Sequence, residues 1–403
     1  MRSLIVALFA GSILISGCSH SGSSVPQPSG VVQSDRSQGG IAPESPPMHY
    51  TVLHSFTGGR RDGSFPVADL VQDAVGNLYG TTENGGYSGN CSHGCGVVFK
   101  IDSSGNETIL LDFKLANGRR PDAGMVLDAA GNLYGTAFGG GTSDDGIVFK
   151  LDSAGSETVL HSFDFTDGRG PTADLVRGAG GNLYGTTSFG GEVDGGVAFK
   201  LDPSGNETVL RNFTRNRGER PFFAGLVRDG AGDLFGTAYD GGPSLDGVVF
   251  KLNANGHETI LHSFSGADGR RPQAGLVRDE AGNLYGTTIF GGVSDLGVVF
   301  KIDTTGNETV LFNFGGQRGV YPSAGLVRSP DGSLFGTTWL GGESNDGIVF
   351  KLDPSGETVL HSFSGTDGSG PMAGLIRDAA GNLYGTTGSG GPSGDGVVFK
   401  LSH

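Results

Sequence analysis

The sequence predicts an all-β chain in which residues 49–403 form a seven-bladed β-propeller of four-stranded antiparallel blades, closed by the N-terminal strand pairing in the C-terminal blade. Three observations carry this. A unit of about fifty residues recurs seven times, a period typical of propeller blades and solenoids. Each unit holds four short strand-like runs and no sustained helical period. The two ends of the repeated region are complementary fragments of one unit.

The repeat is carried by three motifs. Gly76-Asn77-Leu78-Tyr79-Gly80-Thr81 returns at Gly131, Gly181, Gly232, Gly282, Gly332 and Gly381. Gly96-Val97-Val98-Phe99-Lys100 returns at Gly146, Gly196, Gly247, Gly297, Gly347 and Gly396, and Glu157-Thr158-Val159-Leu160-His161-Ser162-Phe163 shows how a unit ends. In the unit that begins near Gly275 the four runs are 275–278, 283–288, 297–302 and 308–314, rich in residues that suit a pleated surface. The 76 glycines and 17 prolines would suggest low complexity if they were not periodic.

The turns have their own chemistry. Asp202-Pro203-Ser204-Gly205 and Asp353-Pro354-Ser355-Gly356 carry the residues a type I turn prefers. Asp378-Ala379-Ala380-Gly381-Asn382 supplies a glycine able to take positive φ in a bulged hairpin. A four-stranded sheet with two partly apolar faces must stack on neighbours, and a ring of sheets leaves only short edges once it is closed. Tyr50-Thr51-Val52-Leu53-His54-Ser55-Phe56 matches a fourth run with nothing before it, while 372–401 supplies three runs with no fourth. Six whole units and this split one make seven blades.

Through the Gly-Asn-Leu-Tyr-Gly-Thr-Thr, Gly-Gly, Gly-Val-Val-Phe-Lys and Glu-Thr-Val-Leu motifs, the repeated region resembles the GloVer tandem-repeat family of secreted or anchored bacterial proteins. The Gly-Gly after the second run is also similar to kelch repeats, a propeller class of similar period. The resemblance implies an envelope location with varied anchoring. It brings no reaction and no catalytic residues.

Residues 1–18 read as a lipoprotein signal: Arg2, an apolar run over 4–15, and Ser16-Gly17 before Cys18. The run is too short to span a bilayer. Ile15-Ser16-Gly17-Cys18 resembles a lipobox, which makes Cys18 the expected lipidation site; the other reading is an ordinary cleavable signal. Two or more acyl chains give stable attachment, and Ser19 resembles the outer-membrane sorting context. Residues 19–48 are rich in Ser, Gly and Pro and read as a flexible tether. In an oxidising compartment Cys91 and Cys95 are expected to form a disulfide; Cys91, His93 and Cys95 as metal ligands is the competing reading. A net charge of -15 argues against a nucleic-acid partner.

Candidate ligand residues lie on the longer loops, between strands two and three and between blades, because loops on a rigid scaffold commonly carry function. Phe138, Phe189, Tyr239, Phe290 and Trp339 precede the Gly-Gly pairs and either stack on a ligand or wedge between blades. Arg120, Arg169, Arg220 and Arg271 sit in the Gly-x-x-Pro segments, suited either to an anionic glycan or to pairing with the aspartates of the same face. Those aspartates, among them Asp144, Asp194, Asp295 and Asp395, either hold calcium or bond their own turns. His54, His161, His262 and His361 share one fourth-strand position and read as structural. No catalytic, phosphate-cradling or cofactor motif is present, and no metal site is assigned. The functional expectation is a lipid-anchored envelope protein that binds a polysaccharide or protein without catalysis. The alternative is a carbohydrate-active enzyme, a polysaccharide lyase or glycoside hydrolase, on a propeller scaffold.

Overall fold

A computed structural model describes residues 48–87 and 91–402. The expected signal and tether lie outside the described residues, apart from Met48. Seven four-stranded antiparallel sheets are arranged as propeller blades. In the fifth blade the strands are Val277–Arg278, Leu284–Thr288, Val298–Ile302 and Glu308–Asn313. The first strand is only two residues long in every blade.

Closure is as expected. His49–Ser55 pairs antiparallel with Val397–Ser402, from His49 opposite Ser402 to Ser55 opposite Val397. The register shifts between Val52 and His54, and the other fourth strands shift at the matching point, as between Val148 and Phe149. The N-terminal strand therefore reproduces even the bulge of an ordinary fourth strand.

The hydrophobic core is divided among the blade junctions. One cluster joins Phe56 and Val398 of the closing blade to Leu70, Leu78, Phe99 and Ile101 of the first. Another joins Val349 and Phe363 to Leu375, Leu383 and Phe399. A phenylalanine just after each fourth strand meets a third-strand phenylalanine of the next blade, edge-on at six junctions and tilted between Phe213 and Phe250: Phe56 and Phe99 lie 5.1 Å apart, Phe264 and Phe300 also 5.1 Å. These rings are fully buried, so each junction depends on a neighbour at both sides. The glycine of the Leu-Tyr-Gly-Thr motif lies directly opposite the third-strand phenylalanine, as Gly286 does opposite Phe300. A Cβ on Gly286 would stand 2.7 Å from the Phe300 ring and 2.8 Å from Leu276.

Candidate functional site

The two long connections of each blade are tied together into one rim. The residue after the glycine of Gly-x-x-Pro pairs with the residue just before Gly-Gly: Arg169 with Phe189, Arg270 with Phe290, Val320 with Leu340. The next residue, immediately before the proline, takes positive φ in all seven blades: 54° at Arg120, 55° at Arg220, 57° at Arg271 and 60° at Tyr321, with Phe65, Gly170 and Gly370 in the same region. A side chain held there costs roughly 1–3 kcal/mol and persists because the paired connections around it fix the backbone. Strain of this kind aims a side chain.

This geometry sorts the candidate residues in a way their shared motif does not. Phe138, Tyr239 and Trp339 stand two residues before the paired glycines and Phe189 and Phe290 one, so they project to opposite sides of an extended segment. The arginines divide likewise. Arg120, Arg220 and Arg271 occupy the strained position, whereas Arg169 lies one residue earlier and faces Asp145 at 3.2 Å.

Nevertheless the two sets meet, joined by residues that the motif search passed over. Phe189 contacts Phe222 with centroids 5.3 Å apart, and Phe222 contacts Tyr239 at 5.6 Å. The Arg271 guanidinium lies 5.2 Å from the Tyr239 ring and 5.8 Å from Phe290. Phe290 meets Tyr321 at 5.3 Å, and Tyr321 meets Trp339 at 6.4 Å. The result is an unbroken arc of six rings and one guanidinium across the third to sixth blades, its members half-buried. Phe222 comes from a one-residue insertion, Pro221-Phe222-Phe223-Ala224 against Pro-x-Ala elsewhere, and Tyr321 stands before its proline where five other blades have arginine or glycine and the first has Phe65. Both were visible as departures from the repeat. Phe138 stands apart, stacked under Arg120 at 4.9 Å.

Several charged groups of this face pair with one another or with turn amides. Asp144 and Asp295 accept the amides of Gly140 and Gly291 at 2.8 and 2.9 Å and face Arg119 and Arg270 in two-toothed pairs. Asp395 accepts from Ser64 at 2.6 Å. Arg120 bridges Glu83 at 2.9 Å and Asp122 at 3.4 Å. Arg220 and Arg271 both face Asp240, at 3.4 and 3.9 Å. Cys91 and Cys95 are bonded to each other, with Cα atoms 5.3 Å apart.

The central channel holds a second feature that breaks the repeat. Where five blades have glycine after Pro-x-Ala or its equivalent (Gly124, Gly225, Gly275, Gly325, Gly374), the first and third have Asp69 and Asp174. Both line a cavity of about 280 Å³ together with Asp122, Thr172 and Ser323. Asp69 accepts the Gly374 amide at 2.5 Å and Asp174 the Gly124 amide at 2.5 Å. Burial pushes the Asp69 carboxyl up; burial and the nearby Asp69 charge push Asp174 up to about 7. Asp122, buried beside Glu83, is also raised. Two like charges in a narrow channel favour holding a proton near neutrality, which equips the pair for proton exchange.

At the blade junctions lies a third set of carboxylates. Six of the seven fourth strands begin at or next to a glutamate, the closing strand beginning at His49 instead, and Glu207 and Glu308 are pushed to about 7 by burial and then by the charges of Asp167 and Asp268. A carboxyl raised above its ordinary 4.5 favours folding in its protonated form. Its contribution is complete below pH about 4.5 and is lost as pH rises through about 7. We therefore expect a higher melting temperature at pH 5.5 than at pH 8, each glutamate contributing about 1 kcal/mol of extra stability at the lower pH once solvent screening is allowed for. Calorimetry of the Glu207→Gln, Glu308→Gln double variant should show that difference reduced; an unchanged slope would remove the assignment.

A sequence model of the Gloeobacter/Verrucomicrobia repeat matches residues 34–180, 87–288 and 255–403. No curated protein matches the chain. Among solved structures, the extracellular domain of a candidate one-component system from B. thetaiotaomicron superposes with a TM-score of 0.57 at 11% identity, over 89% of this chain and 40% of that one. That of a candidate hybrid two-component system from the same organism gives 0.56 at 12%, over 88% and 41%. A candidate 6-phosphogluconolactonase from Bacteroides uniformis gives 0.50 at 16%, over 77% and 88%. At these identities the likeness is one of fold, and this chain spans about two fifths of the length of the first two of these chains.

Proposed function

The chain belongs to the Gloeobacter/Verrucomicrobia repeat family, and from that premise we propose that it is an exported, lipid-anchored propeller that binds a polysaccharide at the cell envelope without turning it over. The signal over residues 1–18, with Cys18 as its lipidated residue, supports export and anchoring, and the outer membrane is the expected destination. The fold is one used by extracellular domains of sensor chains.

The observation that carries the binding reading is the arc from Phe189 to Trp339. Sugar rings present apolar C–H faces, and a row of half-buried aromatic rings offers them area at little entropic cost, with Arg271 placed for a carboxylate or hydroxyl. A glycan array probed with residues 46–403 tests it. Trp339→Ala and Tyr321→Ala are each expected to weaken the best glycan about 10-fold. Capture of a protein partner with no glycan bound, or binding indifferent to both substitutions, would overturn the polysaccharide assignment.

The channel favours a second reading, a lyase or hydrolase using Asp69 and Asp174 as proton-exchanging groups. New reducing ends or unsaturated products from a bound polysaccharide, abolished by Asp174→Asn while binding persists, would establish catalysis.

A further inference from the structure

The four histidines of the fourth-strand position lie at blade junctions, and one junction is built differently. In three of them the imidazole closes onto an aspartate of the connection that follows: His161 Nε2 to Asp167 Oδ2, His262 Nε2 to Asp268 Oδ2 and His361 Nε2 to Asp367 Oδ2, each at 3.0 Å. Each is a direct hydrogen bond that uses up the ring nitrogen. At the closing junction His54 stands open. Its Nε2 lies 3.5 Å from Asp62 Oδ1 and 3.7 Å from Glu107 Oε2, buried and without a hydrogen-bond partner.

The cause is local. Nine residues separate Phe56 from Pro66, where seven separate Phe163 from Pro171. In the longer connection Asp62 accepts the Thr57 amide at 2.8 Å and the Thr57 hydroxyl at 2.7 Å on Oδ2, and the Gly63 amide at 2.7 Å on Oδ1. The carboxylate is thus fixed by three donors and cannot swing to the imidazole as Asp167 does. Glu107 arrives from the first blade to complete a group of one nitrogen and two oxygens, all within 4.8 Å of one another.

We propose that His54, Asp62 and Glu107 bind a divalent cation of the zinc class, which fastens the closing strand to the first blade. Ligand atoms about 2.0–2.2 Å from a tetrahedral ion stand roughly 3.3–3.6 Å apart, close to the 3.5 and 3.7 Å between His54 and the two carboxylates. One neutral imidazole and two carboxylates balance a dication, whereas without it two acidic groups and an unpaired ring nitrogen share a largely buried place. A fourth position is left for water. Each ligand comes from a different segment: His54 from the N-terminal strand, Asp62 from the connection and Glu107 from the blade it must meet. The site is separate from the glycan arc and stands or falls without it.

Full-length protein stripped with a chelator and titrated with Co²⁺ tests this. We expect one ion per chain, the visible absorption of a low-symmetry nitrogen and oxygen site, displacement by Zn²⁺, and a raised melting temperature. His54→Gln and Glu107→Gln should each weaken binding by more than about 100-fold, since losing a direct ligand exceeds the loss of a supporting contact. His262→Gln, at a closed junction, should leave stoichiometry and spectrum unchanged. Wild-type protein that takes up no Co²⁺ overturns the proposal whatever the variants do, as does equal loss in His262→Gln. If His54→Gln fails to fold, the Glu107→Gln spectrum decides.

Discussion

A chain beginning at Thr57 is expected to lose its cooperative unfolding transition. Its last blade would keep three strands, and Val397–Ser402 would become an unpaired edge. Phe56 is fully buried against Phe99, and removing one such ring alone costs about 3–5 kcal/mol. Tyr50, which stacks on His361 at 3.8 Å and donates to the Asp367 carbonyl at 2.6 Å, is lost with it. Together with the strand's ladder of backbone bonds, these exceed much of the about 5–15 kcal/mol by which a domain is stable. Circular dichroism against temperature and size-exclusion chromatography would read the result. A peptide of residues 46–57 added in trans should restore part of the transition. An unchanged melting curve for the truncated chain would show that the ring does not need its fastening strand.

Gly286→Val is expected to destabilise the fold by about 3 kcal/mol or more, the upper range for overpacking. The new Cβ would meet the Phe300 ring at 2.7 Å and Leu276 at 2.8 Å, and two further carbons must also find room. Phe300 cannot retreat, since Phe264 of the preceding blade stands 5.1 Å behind it. The substitution would otherwise be favourable in a strand, because valine suits β structure better than glycine. A raised or unchanged denaturant midpoint would show that the third-strand ring can move aside. The glycine of every Leu-Tyr-Gly-Thr motif is therefore a matter of space under an aromatic ring, which its position opposite phenylalanine makes visible only in three dimensions.

The candidate site was legible to a different degree from the fold. Treating every aromatic before Gly-Gly as one arc merged two positions that face opposite ways, because one residue of offset in an extended chain reverses the side chain. Phe222 and Tyr321, which join them, were passed over although each departs from its repeat. Asp69 and Asp174 were likewise overlooked, despite replacing a glycine kept in the other five blades. Comparing each copy position by position would have found all four. It would have shown the longer connection that follows His54, but not that Glu107 of the first blade reaches the imidazole across the junction.

The sequence alone determined the number of blades, the strands in each and the way the ring closes. Those properties rest on period, alternation and turn chemistry, which are local and repeated seven times. Tertiary structure alone decided which side chains meet across blades. The arc, the channel carboxylates and the His54, Asp62 and Glu107 group all join residues from different repeats, and their distances depend on how twisted sheets stack about an axis, which no single repeat encodes.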